Sequence, residues 1–251
     1  MGRSPEEGSQ EPSRDAAYWA QPVNKLSVSD VPEGAVNLVE GRQLLGPLQG
    51  FGKMWQKTYR IQLANGVVTP AEVISTWKQE FARFWPRGNR FYAPLTGIQP
   101  GEVALVSIAA GPVKLSTGVM VLYADPESFT LMTPQGHTFA GWITFSSFEE
   151  EGCCVAQAQV LMRAQDPISE IGLTLGGHSQ ENRFWQQTLK ILAANWGVDA
   201  EAQTEVICVD PRRRWSEAKN VWHNPAIRSQ LHILMTPVRW LTSPLRKRRR
   251  S

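Results

Sequence analysis

The chain has few of the residues from which disulfide frameworks and metal centres are built. It contains three cysteines, of which Cys153 and Cys154 are adjacent, and four histidines among 251 residues. An odd number of cysteines without framework spacing is typical of free thiols in a reducing compartment. No cysteine and histidine spacing matches a zinc site. We therefore expect a cytoplasmic protein that holds no metal and no cofactor.

Long apolar runs are also missing from the sequence. No stretch of about 18 consecutive apolar residues occurs, so the sequence predicts no membrane-spanning helix. The first twelve residues, MGRSPEEGSQEP, lack the apolar segment of a secretory signal. Both absences agree with a cytoplasmic location.

Charge and composition vary strongly along the chain. Residues 211–251 contain eleven Lys or Arg and one acidic residue, a net charge of +10, so residues 1–210 carry −7 within the total of +3. The first 32 residues are rich in Glu, Ser, Pro and Gly, which is typical of disorder. We therefore predict four segments: disordered residues 1–32, an irregular lead-in at 33–54, a globular domain at 55–210 and a basic amphipathic tail at 211–251.

A series of alternating or apolar segments predicts an antiparallel sheet. In residues 55–63, Trp55, Tyr59 and Ile61 share one face, and polar side chains occupy the other. Further strands are predicted at 90–92, 102–109, 117–123, 128–132, 138–148, 153–164 and 204–209. Turn residues separate several of them. The longest predicted hairpin joins 138–148 to 153–164 through the sequence EEEG.

Two helices have clear signals in the sequence. Residues 69–72, TPAE, form a capping box with proline at the first helical position. Residues 179–197 form a longer amphipathic segment, with Ser179 predicted as its N-cap and Gly197 as its closing residue. Its apolar stripe consists of Trp185, Leu189, Leu192 and Trp196. A stripe with two tryptophans requires a large apolar surface to cover it.

The order of these elements is strand, helix, about six antiparallel strands and one long helix. This order resembles the START-like or SRPBCC superfamily, whose helix-grip fold wraps a curved antiparallel sheet around a C-terminal helix. The sequences GHTFAGWITFS, AQVLMRAQDP and GGHSQENRFW are similar to segments of bacterial members that have no assigned chemistry. The resemblance covers residues 55–198. It implies an α+β helix-grip fold in which a cavity between sheet and helix holds an apolar ligand.

The long hairpin and the long helix contain the candidate ligand-binding residues Trp142, Gln157, Gln159, Arg163 and Trp185. In the resembled fold, alternate residues of the hairpin point toward the helix. The two glutamines and the arginine would then supply the few polar groups that orient a ligand in an apolar pocket. A period of two does not indicate which face is concave, so the same three side chains could instead face water.

Two candidate catalytic residues, His178 and Glu181, flank the predicted start of the long helix. A histidine close to a carboxylate can act as an acid–base pair, although residues at such positions also serve as helix caps. Three functions stay open: a carrier or sensor of an apolar or amphipathic molecule, an enzyme of the cyclase, aromatase or hydrolase type, and an adaptor. An enzyme requires an ionisable pair in the cavity, a carrier requires only the cavity, and an adaptor fills the cavity with its own side chains.

The basic tail combines an apolar stripe with a block of cations. The stripe runs at helical spacing through Ile227, Leu231, Leu234, Val238, Leu241 and Leu245, and the block is Arg246, Lys247, Arg248, Arg249 and Arg250. This pattern is typical of a helix on an anionic membrane surface and predicts a peripheral position at the inner face of the membrane. A helix packed on the domain is the alternative, and the acidic body disfavours nucleic acid. The sequence does not indicate an oligomeric state.

Overall fold

The structure is a computed structural model and describes residues 16–63, 66, 68–110, 113–224 and 227. The strands are β1 (Met54–Gln62), β2 (Arg90–Tyr92), β3 (Val103–Ala110), β4 (Val113–Ala124), β5 (Ser128–Met132), β6 (Phe139–Glu150), β7 (Cys153–Ala164) and β8 (Gln203–Asp210). The α-helices are α1 (Pro70–Gln79), α2 (Pro167–Gly172) and α3 (His178–Ala194). Short 3₁₀ segments lie at Ala16–Tyr18, Pro47–Gln49, Phe81–Phe84 and Trp215–His223.

All eight strands form one antiparallel sheet in the order β2-β3-β4-β5-β6-β7-β1-β8. Each strand predicted from the sequence is present, and the predicted bounds differ from the observed ones by at most four residues. The long hairpin is paired along its whole length, from Phe139 opposite Ala164 to Glu150 opposite Cys153. β1 lies between β7 and β8, so the first and last strands of the chain are neighbours.

The capping box that predicted α1 is present. The Thr69 hydroxyl accepts a hydrogen bond from the Glu72 amide at 3.3 Å, and the Glu72 carboxylate accepts one from the Thr69 amide at 2.8 Å. α1 packs on β6 through Trp77, which is fully buried and meets the Phe145 ring edge-on at 4.9 Å. This helix covers one end of the inner face of the sheet.

α3 packs on the same inner face of the sheet. Leu189 and Leu192 are fully buried, and the half-buried Trp185 ring lies 5.5 Å from Phe145. The stripe predicted from the sequence therefore faces the sheet. The protein has an α+β helix-grip fold, in which a curved antiparallel sheet surrounds a long C-terminal helix.

The start of α3 differs from the prediction. The helix begins at His178, so Ser179 lies inside it and the prediction of Ser179 as the N-cap is wrong. The chain enters α3 from α2 through a wide helical turn, Leu173–Gly177. Within this turn Gly176 has a φ of +127°, which residues with side chains rarely adopt. Because the helical path is almost continuous, the first amides of α3 need no side-chain cap.

The outer face of the sheet is covered by the segment before β1. Leu26, Val39 and Leu45 of this segment are buried. A Cβ atom added at Gly118 of β4 would lie 3.2 Å from the Val39 side chain, so glycine allows the close approach. The lead-in predicted for residues 33–54 is thus a packed cover on the sheet.

Part of the segment predicted to be disordered, residues 16–32, contacts the domain. Trp19 forms an isolated antiparallel bridge with Tyr123, and Leu26 is 3% exposed. A few widely spaced apolar residues hold this segment, although its overall composition is typical of disorder. Residues 1–15 lie outside the described part of the chain.

The domain extends beyond the boundary predicted at residue 211. The Asn220 side chain donates to the carbonyls of Gln49 at 2.9 Å and Gln165 at 3.1 Å. The Asn224 side chain donates to both carboxylate oxygens of Asp166 at 3.0 Å. Residues 211–224 therefore belong to the folded domain. The remainder of the predicted tail, apart from Ile227, lies outside the described residues.

Candidate ligand-binding site

A cavity of about 590 Å³ lies between the inner face of the sheet and α3. It is bordered by β3 to β7, by the turn at residues 85–89, and by α2, the Leu173–Gly177 turn and α3. This volume is within the range of sites that bind small molecules, roughly 300–1,000 Å³. The cavity occupies the position that the resemblance implied.

The sheet side of the cavity is almost entirely apolar. Successive residues of a strand point to opposite faces, so alternate positions of β6 and β7 line the cavity. Ile143 lies opposite Val160, and Gly141 lies opposite Met162. The apolar lining of the sheet consists of Val106, Ile108, Leu115, Val119, Leu131, Phe139, Gly141, Ile143, Val160 and Met162.

Aromatic rings contribute to the side of the cavity opposite the sheet. The Phe184 ring lies 5.1 Å from Trp85 and 4.7 Å from Trp185, in edge-on contacts in both cases. All three residues line the cavity. Leu173 of the turn before α3 adds an aliphatic surface. Such rings offer large apolar contact areas to a ligand.

A buried polar cluster fastens α3 to β1 beside the cavity. The Lys57 ammonium donates to the Glu181 carboxylate at 2.7 Å and to the Asn182 side-chain oxygen at 3.0 Å. The Tyr59 hydroxyl donates to the same Asn182 oxygen at 2.9 Å. Lys57 is fully buried, and the Glu181 side chain is 8% exposed. Of these four residues, Glu181 borders the cavity.

Burial determines the electrostatics of this cluster. Desolvation raises the pKa of Glu181 above its usual range, and the Lys57 ammonium acts in the opposite direction. Desolvation, and to a lesser degree the Glu181 charge, raises the pKa of Tyr59 far above its usual range, so this hydroxyl stays protonated. A charged pair at this depth is stabilised only when its partners are well placed, as they are here.

Two histidines near the cavity are neutral at pH 7. Burial lowers the pKa of His137, which lines the cavity, to about 4. Its Nδ1 accepts the Phe139 amide at 3.0 Å. Burial, together with the Lys57 charge, lowers the pKa of His178 to about 4. The His178 ring packs edge-on against Trp55 at 5.1 Å.

The candidate pair His178 and Glu181 is therefore arranged differently from the expectation. Glu181 forms its ion pair with Lys57. Sequence reasoning missed Lys57, although the period of two places it on the same face of β1 as Trp55 and Tyr59. A lysine on the apolar face of a half-buried strand is a signal of a buried acidic partner.

The structure divides the five predicted ligand-binding residues into two groups. Trp185 and Trp142 border the cavity, although the Trp142 ring lies near Gly46 on the outer face. Gln157 and Gln159 lie on the outer face, where Gln157 accepts from the Arg60 side chain at 2.7 Å and Gln159 donates to the Thr58 hydroxyl at 3.3 Å. The two glutamines belong to the face opposite the cavity, which corrects their assignment.

Arg163 also lies away from the cavity, although it is buried to 1% exposure. Its guanidinium donates to the carbonyls of Gly52 and Arg212 and to the Asp210 carboxylate. The pKa of Asp210 is held at about 2, first by the Arg212 amide and then by this guanidinium. Arg163 thus joins β7, the end of β8 and the lead-in, and it is a structural residue rather than a ligand contact.

Other predicted features remain as expectations or lie outside the described residues. Within the described residues no group of three or more His, Cys, Asp or Glu could hold a metal ion. None of the described helices is long and apolar enough to cross a membrane. The basic block at 246–250 is not among the described residues, and Ile227 is the one described member of the apolar stripe.

No family model and no curated protein matches the chain by sequence. Similar solved structures include a protein from Mycobacterium smegmatis, at 11% identity over 56% of this chain and 89% of that chain, with a TM-score of 0.41. Ara h 8.0201 is 12% identical over 56% of this chain and 97% of its own, with a TM-score of 0.38.

The di-domain ARO/CYC protein StfQ from the steffimycin biosynthetic pathway is 9% identical. The match covers 57% of this chain and 50% of that chain, with a TM-score of 0.42. Similarity at this level identifies neither a ligand nor a reaction for this chain.

Proposed function

We propose that the protein binds an apolar or amphipathic small molecule in the cavity between the sheet and α3, without transforming it. The observation that carries the proposal is a volume of about 590 Å³ whose sheet wall is largely apolar and whose opposite wall includes the aromatic rings of Trp85, Phe184 and Trp185. An adaptor would fill this space with its own side chains. The size and lining favour a carrier or sensor.

The arrangement of ionisable groups also favours binding over catalysis. The Lys57 ammonium already makes two hydrogen bonds inside the buried cluster and does not line the cavity. His178 is not among the residues that line the cavity. Among the described lining residues the two acid–base groups already have partners: Glu181 is paired with Lys57, and the Nδ1 of His137 accepts the Phe139 amide.

An enzyme of the cyclase, aromatase or hydrolase type is the second candidate. Glu181 favours it, because a buried carboxylate with a raised pKa at a cavity wall is typical of catalytic acids. Turnover of a bound molecule by the wild-type protein, abolished in Glu181→Gln, would select this candidate. Retention of every bound molecule unchanged selects the carrier.

Titration with a neutral, environment-sensitive lipophilic dye tests the proposal. Ile143→Trp would fill the cavity from the middle of β6, and Thr144→Trp would place the same ring on the opposite face. We expect micromolar binding to the wild type and to Thr144→Trp, and at least tenfold weaker binding to Ile143→Trp. Equal binding by all three folded proteins would place the dye elsewhere and reject the proposal.

We also propose that the basic block at 246–250 brings this binding domain to an anionic membrane surface. Support comes from the sequence, in which an apolar stripe precedes five consecutive cations. The acidic body would be repelled by the same surface, so the tail would make the contact.

A further inference from the structure

Two arginines from different elements border the mouth of the cavity. Arg87 belongs to the turn at residues 85–89, and Arg183 belongs to α3. Both side chains line the cavity and both are exposed to solvent. They are therefore placed where a bound molecule would meet water.

Hydrogen bonds to one residue of β3 fix the two elements that carry the arginines. The Ala109 amide donates to the Asn89 side chain at 3.0 Å, which fixes the turn that contains Arg87. The Ala109 carbonyl accepts from the Gln180 side chain at 2.7 Å, which fixes the edge of α3. Gln180 and Arg183 are three residues apart and lie on the same edge of the helix. The turn and the helix edge thus converge on Ala109 from two sides.

The charges around the cavity do not balance. Within the described part of the chain, the charged residues of the lining are Arg87, Arg183 and Glu181, and Glu181 is already paired with Lys57 at 2.7 Å. Among the described residues, neither arginine lies within ion-pair distance of a carboxylate. His137 adds no positive charge at pH 7, because its pKa is about 4. The mouth therefore carries an excess of two positive charges above an apolar interior.

We infer that the ligand is an amphipathic anion. Its apolar body lies against the inner face of the sheet, and its carboxylate or phosphate is held at the mouth by Arg87 and Arg183. The inference rests on the proposed function, since it specifies the class of molecule that the same cavity takes. The planar guanidinium group matches carboxylate and phosphate oxygens in two parallel hydrogen bonds. Such a group at the mouth also balances the two unpaired positive charges.

The apolar wall below the arginines fits the other end of this molecule. Trp85 lies two residues before Arg87, and Phe184 directly follows Arg183. Ile108 directly precedes Ala109, the residue on which both elements converge. A straight or branched hydrocarbon would pass these side chains on its way into the cavity. A cationic amphiphile of the same length would place like charge against the two arginines.

Competition against the neutral dye tests the inference with four probes of equal chain length. These are dodecanoic acid, dodecyl phosphate, dodecanol and dodecyltrimethylammonium. At low salt we expect each of the two anions to bind about tenfold more tightly than dodecanol, and the cation to bind more weakly than dodecanol. The preference for anions should decrease at about 1 M salt, where charges are screened within about 3 Å. The stronger of the two anions distinguishes a carboxylate ligand from a phosphate ligand.

Paired variants separate the roles of the arginines and of overall charge. Arg87→Gln combined with Arg183→Gln should reduce the anion-to-alcohol preference to about one, with dodecanol affinity unchanged. Arg60→Gln combined with Arg83→Gln removes two exposed charges that do not line the cavity and should keep the preference. Equal affinity for dodecanol and both anions in the wild type would overturn the inference, while dodecanol and dye binding would still support the proposed function. If neither the dye nor any of the four probes binds, both the inference and the proposed function are wrong.

Discussion

Replacing Lys57 with methionine tests whether the buried cluster holds α3 on the sheet. Methionine keeps the length of the apolar stem and removes the ammonium, which leaves Glu181 buried without its partner at 2.7 Å. The two side chains are 0% and 8% exposed, and loss of one partner from such a pair costs about 3–5 kcal/mol. For a domain of this size the melting temperature should fall by about 6–20 °C.

The pH dependence of the stability lost in Lys57→Met should identify Glu181 as the source of that loss. Without Lys57, nothing opposes the desolvation that raises the pKa of Glu181. An acid whose pKa is raised on folding destabilises the folded state above that pKa, and the destabilisation disappears as the pH falls toward the unfolded value of 4.5. The cost of Lys57→Met in urea unfolding should therefore shrink between pH 8 and pH 5. When Lys57→Met is made in a Glu181→Gln background, its cost should be nearly independent of pH.

A second lysine provides the matched control. Lys190 pairs with Glu201, but the two side chains are 39% and 86% exposed. Exposed pairs contribute about 0–1 kcal/mol, so Lys190→Met should cost less than about 1 kcal/mol. The reasoning is wrong if the two lysine variants have equal unfolding free energies, or if the cost of Lys57→Met is the same at pH 8 and pH 5.

Three further outcomes are expected. In urea titrations, Leu189→Ala should lower the unfolding free energy by about 2–5 kcal/mol, because this side chain is fully buried. Ile191 is 38% exposed, so Ile191→Ala should cost less than about 1 kcal/mol. Equal costs for the two variants would contradict the packing of α3 on the sheet. The unfolding free energy should fall as the pH drops from 6.5 toward 4, because His137 takes up a proton in the unfolded state more readily than in the folded state. His137→Gln should remove about 3 kcal/mol of that loss at pH 4. Parallel curves of unfolding free energy against pH for the wild type and His137→Gln would contradict this. In vesicle flotation the full chain should bind anionic but not neutral bilayers, and a chain ending at Thr236 should not bind; equal recovery of both chains would exclude residues 246–250 as the anchor.

The secondary structure could be predicted because its signals are local. The capping box at residues 69–72 and the alternation in β6 and β7 depend on neighbours within one element. The apolar stripe of α3 required a large surface to cover it, and the order of the strands supplied that surface. The approximate bounds of the elements followed from these signals, whereas the helix-grip arrangement was implied by the resemblance of their order to a known superfamily.

The cavity wall could not be predicted, because a period of two does not distinguish the inner face of a sheet from the outer one. Gln157 and Gln159 alternate with the small residues that turn toward α3, and their polarity suits water on the outer face. Lys57 is an exception to the rule that polar residues of a strand face water. Its ammonium is buried because it pairs with Glu181, which lies 124 positions later in the chain. No local sequence pattern indicates this ion pair.

The sequence indicated an irregular lead-in but not its position on the outer face of the sheet, for a different physical reason. Its buried residues, such as Leu26 and Val39, are separated by charged and turn-forming residues and show no helical or strand period. Irregular segments bury individual side chains without a repeat that sequence analysis can detect. Gly118 allows Val39 to approach the sheet closely. This role of the glycine can be recognised only when the two segments are seen in contact.

A crystal of the protein soaked with 12-bromododecanoic acid would test the central claim most directly. The anomalous signal of bromine reports the position of the hydrocarbon end without assumptions about the ligand. We expect a bromine peak inside the cavity, between Ile143 on the sheet and Trp185 on α3. A peak on the outer surface alone, or a cavity closed by the side chains of Phe184 and Trp185, would contradict the account of this space as a binding site.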